Sequence, residues 1–170
     1  MTVRLWGAIL VFGGCGGMGH AIALAFRREE RALQALLEAV EHMICQLRYR
    51  LSPLPELCRD AAQQSHGPVQ AVLLALSGHL AAQTCPDAGG CMEKALAETP
   101  KLPLAVQTQL RYLGATLGQF DAQGQLQGLE GVKEGTQRAL SALRSTIGEK
   151  TRACRTLALC AGAALAILLI

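Results

Sequence analysis

Three observations predict an all-α protein. Apolar residues recur at helical spacing through the middle of the chain, no alternating or β-branched run interrupts them, and both ends are uncharged and apolar. Together they give a cytoplasmic bundle of about six helices between an N-terminal and a short C-terminal transmembrane helix. The expected boundaries are 5–26 for the first span, 27–155 for the bundle and 156–170 for the second span.

Leu5 to Phe26 carries no formal charge. As a helix it is about 33 Å long at 1.5 Å per residue, enough to cross a hydrocarbon core of about 30 Å. Trp6 and Phe26 stand at its two ends, where rings favour the interface, and Gly13 with Gly17 makes a small-x-x-x-small face for close helix packing. The same stretch contains G-x-G-x-x-G at Gly14, Gly16 and Gly19 and resembles the opening of a short-chain dehydrogenase. That reading needs a second strand ending in an acid about 20 residues on. The chain instead continues as a helix, with Leu33, Leu36, Leu37, Val40, Ile44 and Leu47 on one stripe. A catalytic Tyr followed by Lys four residues later is also missing: Pro53 follows Tyr49 and Thr116 follows Tyr112 at that distance.

At the other end, Thr156 to Ile170 is a minimal second span of about 22 Å, extended by Ala153 and Cys154 if Arg152 and Arg155 snorkel. Arg27, Arg28 and Arg31 follow the first apolar run, Lys150, Arg152 and Arg155 precede the second, and only Arg4 lies outside. This bias places the middle in the cytoplasm. It also argues against a cleaved secretory signal at Ala21-Ile22-Ala23, whose charges belong before the apolar run. A lipoprotein signal at Gly13-Gly14-Cys15 is disfavoured because Phe12 stands where Leu is wanted.

The middle divides at prolines and glycines. The first helix, from Glu29 to Leu51, opens on acids suited to a positive helix end. Ser52 is placed to cap the next helix, with Pro53 in its first turn and Leu54, Leu57, Cys58 and Ala61 buried, up to Gly67-Pro68. A third helix runs from Pro68 to about Gln83 with Val69, Val72, Leu73, Leu76 and Leu80 on one face. A short fourth follows Gly89-Gly90 and ends before Pro100, and a fifth spans Pro103 to Leu117 with Leu104, Gln107, Leu110 and Leu113 or Gly114 in line. The sixth starts after Asp121, a cap, and carries Leu126, Leu129, Val132, Leu140, Leu143 and Ile147 into the terminal span. Its glycines, among them Gly124, Gly128, Gly131 and Gly135, each cost about 1 kcal/mol relative to Ala, so its first half needs tertiary packing.

No catalytic constellation emerges, and no cofactor or metal is expected. Basic and acidic residues are well mixed, with a formal net charge of +3 over 170 residues, which argues against a nucleic-acid partner. Glu38 and His42 are an i,i+4 surface pair beside Glu41, without the Glu-x-x-His elements of a bundle metal site. His20 in the first span serves packing or the interface; His66 and His79 have no acid or nucleophile at motif spacing, and Ser65 beside His66 is no triad. The cysteines lack metal-ligand spacing and read as small buried hydrophobes. Cys85 and Cys91 are expected to pair only in an oxidising compartment.

Four features in order resemble the stage III sporulation protein AB family of endospore-forming bacteria. They are the first span beginning Leu5-Trp6-Gly7-Ala8, the helix from Arg31 to Tyr49 running into Ser52-Pro53-Leu54, the string from Leu113 to Asp121, and the leucine- and isoleucine-rich end. The third is the most specific, a Phe-Gly-x-Thr-Leu-Gly-x-x-Asp pattern with Leu113 in place of Phe. The chain departs from the family at the glycine-rich stretch Ala122 to Gly128 and at Arg50, where a Gly is usual. The resemblance implies a mother-cell membrane protein of the channel linking mother cell and forespore, without catalysis. Its cytoplasmic domain would be similar to secretion platform protein F, and its partners would be the cytoplasmic ATPase of the channel and other channel membrane proteins. Arg48, Tyr49, Arg50, Pro53, Leu54, Gly118 and Asp121 are the expected partner-binding residues, because loops on a rigid scaffold carry function. The alternative is a membrane-anchored regulator or assembly factor outside sporulation.

Overall fold

The computed structural model describes the backbone of residues 2–50, 53–99, 102–118 and 122–169 and the side chains of 24–49, 53–99, 102–118 and 123–146. Among these residues there are six helices and no strand: α1 (Thr2–Arg50), α2 (Leu54–Gln64), α3 (Pro68–Ala81), α4 (Ala88–Glu98), α5 (Leu104–Thr116) and α6 (Ala122–Leu169).

The two long helices α1 and α6 run antiparallel. Ion pairs along their seam fix the direction: Arg48 to Glu130 at 3.3 Å, Glu41 to Lys133 at 2.8 Å and Glu30 to Arg144 at 2.8 Å, so that α6 numbering rises as α1 numbering falls. The shorter helices connect the far end of α1 to the start of α6, each packing on its neighbour in sequence, and α5 closes back onto α6 and α1. One core results. It is filled by Leu33, Leu36, Val40 and Met43 of α1, Leu57 and Ala61 of α2, Val72, Leu73 and Leu76 of α3, Met92 of α4, Val106, Leu110 and Leu113 of α5, and Leu129 and Val132 of α6.

Four details differ from the sequence reading. Glu29 and Glu30 do not open a helix, because α1 runs unbroken from Thr2; Glu30 instead pairs across the seam with Arg144. Pro53 is the residue before α2 rather than its first turn, and the proline inside that turn is Pro55; Ser52 lies outside the described residues. Helix α4 begins at Ala88 and keeps Gly89 and Gly90 in its first turn, because Asp87 caps it by accepting from Gly90 N–H at 3.2 Å. On α5 the stripe is rotated: Leu104 is 73% exposed and Val106 is fully buried.

The glycines of α6 find their purpose against α5. A Cβ on Gly128 would lie 1.6 Å from Thr116 Cγ2, one on Gly135 would lie 2.5 Å from Gln109 Oε1, and one on Gly131 would lie 3.2 Å from the Tyr112 hydroxyl. The backbone of α6 therefore lies close against α5 side chains, closest at Gly128, while at Gly131 and Gly135 the neighbours are the far ends of Tyr112 and Gln109; the cost of glycine in a helix is offset by that approach.

Among the described residues no helix is long and apolar enough to cross a membrane. Of the expected spans at 5–26 and 156–170 only Leu24, Ala25 and Phe26 have described side chains; the rest, with Gly13 and Gly17, lie outside them.

Two alanine substitutions should change stability in opposite directions. Gly78 on α3 has nothing within 4 Å of its Cβ position, so Gly78→Ala should gain up to about 1 kcal/mol from helix propensity. Gly128→Ala should lower the melting temperature despite the same propensity gain, because its methyl displaces Thr116. Thermal melts followed by circular dichroism measure both, and a stabilised Gly128→Ala would contradict the close α5–α6 contact.

Candidate partner surface

Three corners meet at the end of the bundle where α1 stops and α6 starts, here called the head. The α1–α2 corner supplies Arg48, Tyr49, Pro53 and Leu54, and the α5–α6 corner supplies Gly118. They are neighbours in space: a Cβ on Gly118 would lie 3.7 Å from Leu54 Cδ2 and 3.8 Å from Ala88 Cβ. The third corner, from Ala82 to Asp87 between α3 and α4, was not singled out in the sequence, although Asp87 before Ala-Gly-Gly is a capping signature.

The head has both exposed aromatic and charged character. Tyr49 is 79% exposed, and Arg48, also exposed, holds Glu130 of α6. Leu54 is half-buried against the core, while Pro53 is exposed. Gly118 ends α5 with φ of +80°, after Leu117 N–H has donated to Leu113 O at 3.0 Å, a left-handed stop of the kind that favours glycine. The Arg50 side chain and Asp121 lie outside the described residues.

From Pro53 an open groove of about 510 Å³ runs between α2 and α3, lined by Pro55, Glu56, Arg59, Leu74 and Ser77 among others. Leu74, 45% exposed, is part of its apolar wall. The signal was present in the sequence as the run Val72-Leu73-Leu74, since a helix turning 100° per residue cannot bury three consecutive side chains on one face.

The titratable residues take structural positions. Glu38 and His42 do not pair: His42 turns to Gln46 at 2.9 Å, whose amide also donates to Asp60 at 3.0 Å, joining α1 to α2. Glu41 is engaged by Lys133. His79 Nε2 lies 3.2 Å from Glu98 Oε1, close enough for an ion pair but out of line for a hydrogen bond, and its Nδ1 meets the Thr84 hydroxyl at 3.2 Å. Thr84 is itself tied back to His79 O through both its N–H and its hydroxyl, so the trio closes the end of α3. Among the described residues no three His, Cys, Asp or Glu side chains gather as metal ligands.

Of the cysteines, Cys58 is buried, and burial pushes its thiol from 9.0 up to about 12. Cys91 is buried as well; burial and a hydrogen bond with the Cys85 thiol raise it, so the two are in contact without a disulfide. Cys45 is exposed on α1, contrary to the expectation that the cysteines are uniformly buried.

Among the described residues this arrangement defines an all-helical domain strung between two long antiparallel helices, with a head built from the corners between helices. The family model for stage III sporulation protein AB matches residues 4–170, and the chain belongs to that family. A solved structure described as Stage III sporulation protein AB (SpoIIIAB) has a similar fold, with a TM-score of 0.61 and 20% identity over 71% of this chain and 97% of the solved one. No curated protein sequence matches the chain.

Gly118→Val should destabilise the fold by about 1 kcal/mol or more, because a β-branched residue is forced to positive φ; a neutral thermal melt would argue against the left-handed corner. Native alkylation followed by peptide mapping should label Cys45 readily and Cys58 only after unfolding. The raised Cys58 thiol also sets a pH dependence. The unfolded form loses its proton first, so the stability it contributes is whole below pH 9.0 and declines as pH rises toward about 12. Replacing Cys58 by Ala should remove that alkaline component of the melt.

Proposed function

We propose that the protein is a non-enzymatic membrane scaffold of the stage III sporulation channel between mother cell and forespore, holding a secretion-type ATPase at the mother-cell membrane. Family membership gives the role in the stage III sporulation apparatus. The antiparallel pairing of α1 and α6 is the observation that carries the rest of the reading. With Glu30 beside Arg144, the apolar runs at 5–26 and 156–170 leave the bundle at the same end. As spans they enter one bilayer side by side, with Gly13 and Gly17 available for close contact and the basic residues on the bundle side in the cytoplasm.

Two anchors at one end direct the head away from the membrane. A cytoplasmic ATPase meeting Arg48, Tyr49, Arg50, Pro53, Leu54, Gly118 and Asp121 is then received in one pose. Exposed Tyr49 next to Arg48 supports this choice of surface, since tyrosine and arginine are enriched among residues that carry binding energy. Other channel membrane proteins meet the spans.

The tagged full-length chain in detergent should retain the ATPase of the same channel in a pull-down. Arg48→Gln combined with Tyr49→Ala should weaken that recruitment about tenfold, the loss of one hot spot. The helical melt should shift by no more than about 1 kcal/mol, because the Arg48–Glu130 pair is exposed. Unaltered recruitment by the double variant would refute the surface, and failure of the unsubstituted chain to retain the ATPase would refute the function.

A further inference from the structure

At the end opposite the head, α1 meets the α2–α3 and α4–α5 corners around an open cleft of about 630 Å³. Arg28 and Arg31 of α1 and His66 of the α2–α3 corner line it, with Glu29 the one acid among the lining residues, and apolar Ala32 and Leu102 among the rest of the wall.

Among the described cations of the two long helices, Arg27, Arg28 and Arg31 stand apart from the rest. Arg48, Lys133, Arg138 and Arg144 each lie within 3.3 Å of a carboxylate oxygen. Arg28 and Arg31 are exposed and, among the described residues, pair with no carboxylate. Two guanidinium groups left over an apolar wall match a phosphate joined to an apolar body. The forked N–H groups fit phosphate oxygens, and the wall gives the apolar part a place out of water.

Position along α1 selects the source of that phosphate. The uncharged run ends at Phe26, and in the same unbroken helix Arg28 and Arg31 follow about 3 Å and 7.5 Å further along the axis. That is the depth of the headgroup layer next to the hydrocarbon core.

We propose that this cleft binds the phosphate of an anionic phospholipid, with Arg28 and Arg31 on the headgroup and the apolar wall against the start of an acyl chain. The inference rests on the reading of α1 as a membrane span. Because the cleft is built from α1 and two separate corners, an occupied site ties both corners to the bilayer surface and fixes the tilt of the bundle.

The test uses the full-length chain in an uncharged detergent, with native mass spectrometry in the presence of phosphatidylglycerol, phosphatidylcholine or soluble glycerol phosphate. Phosphatidylglycerol should be retained at one equivalent, about tenfold more tightly than phosphatidylcholine. Arg28→Gln combined with Arg31→Gln should lose that preference, the order expected on removing two charges beside one anion. Arg138→Gln, which removes a paired and exposed cation, should keep it. Equal retention of the two lipids, or a double variant that keeps the preference, would overturn the site. Glycerol phosphate bound as tightly as the lipid would replace the lipid with free phosphate as occupant and overturn it too. Vesicle flotation separates this inference from the one beneath it. A chain that fails to float with either lipid defeats the span reading itself; one that floats with both but shows no preference in the spectrometer defeats only the cleft.

Discussion

The antiparallel seam between α1 and α6 is the constraint on which the rest of the bundle is built. Helices of the length of α2 to α5, 11 to 14 residues, are marginal alone in water. They are held because the chain leaves one end of a long helix and must return to the start of the other, and each buries its apolar face on the way. A fully buried leucine contributes about 1.5–3 kcal/mol, whereas an exposed ion pair contributes about 0–1 kcal/mol. Packing by Leu33, Leu36, Leu129 and their neighbours therefore supplies the strength of the core, and the three charge pairs select how the long helices align.

The closure of α5 on α6 is made differently. Larger side chains of α5 rest on glycine positions of α6, so the contact comes from close backbone approach instead of interdigitating leucines. A similar device joins α4 to α5, where a Cβ on Gly114 would meet Met92 Cβ at 2.5 Å. The string Leu113 to Gly118, part of the most specific family segment, thus combines a buried leucine, a glycine under Met92, a threonine over Gly128 and a left-handed stop.

Helix type, order and most core positions were legible in the sequence because the 3.6-residue period is strong in α1 and α3 and because prolines mark the breaks. What was not legible depends on partners distant in sequence. Glu30 reads as a dipole acid until Arg144 is seen beside it, and His79 has no acid nearby in the chain, yet lies close to Glu98. The stripe of α5 was misread because Leu104 is apolar but exposed, and Thr116 is polar but buried over Gly128. Two of the three corners of the head were legible: those between α1 and α2 and between α5 and α6 were named, while the corner capped by Asp87 was not. That Leu54 and Gly118 adjoin is a product of topology, which no local pattern encodes.

The spacing of the α6 glycines has a consequence for register. Gly128 and Gly131 are three residues apart and Gly131 and Gly135 four, so sliding α6 by four residues would bring Gly135 to Tyr112 but Val132 to Thr116, where a Cβ has only 1.6 Å. The apolar stripe is no more tolerant, since the same slide brings Lys133 and Arg144 into the buried places of Leu129 and Leu140. The seam with α5 is therefore a notched track with one stop. Against α1 the same slide leaves Glu41 facing Gln137 and Glu30 facing Gly148, while Arg48 exchanges Glu130 for Glu134. Two of three attractions vanish, a bias on the order of 1 kcal/mol, and the surface charges of α1 thereby add to the register that the α6 glycines set against α5.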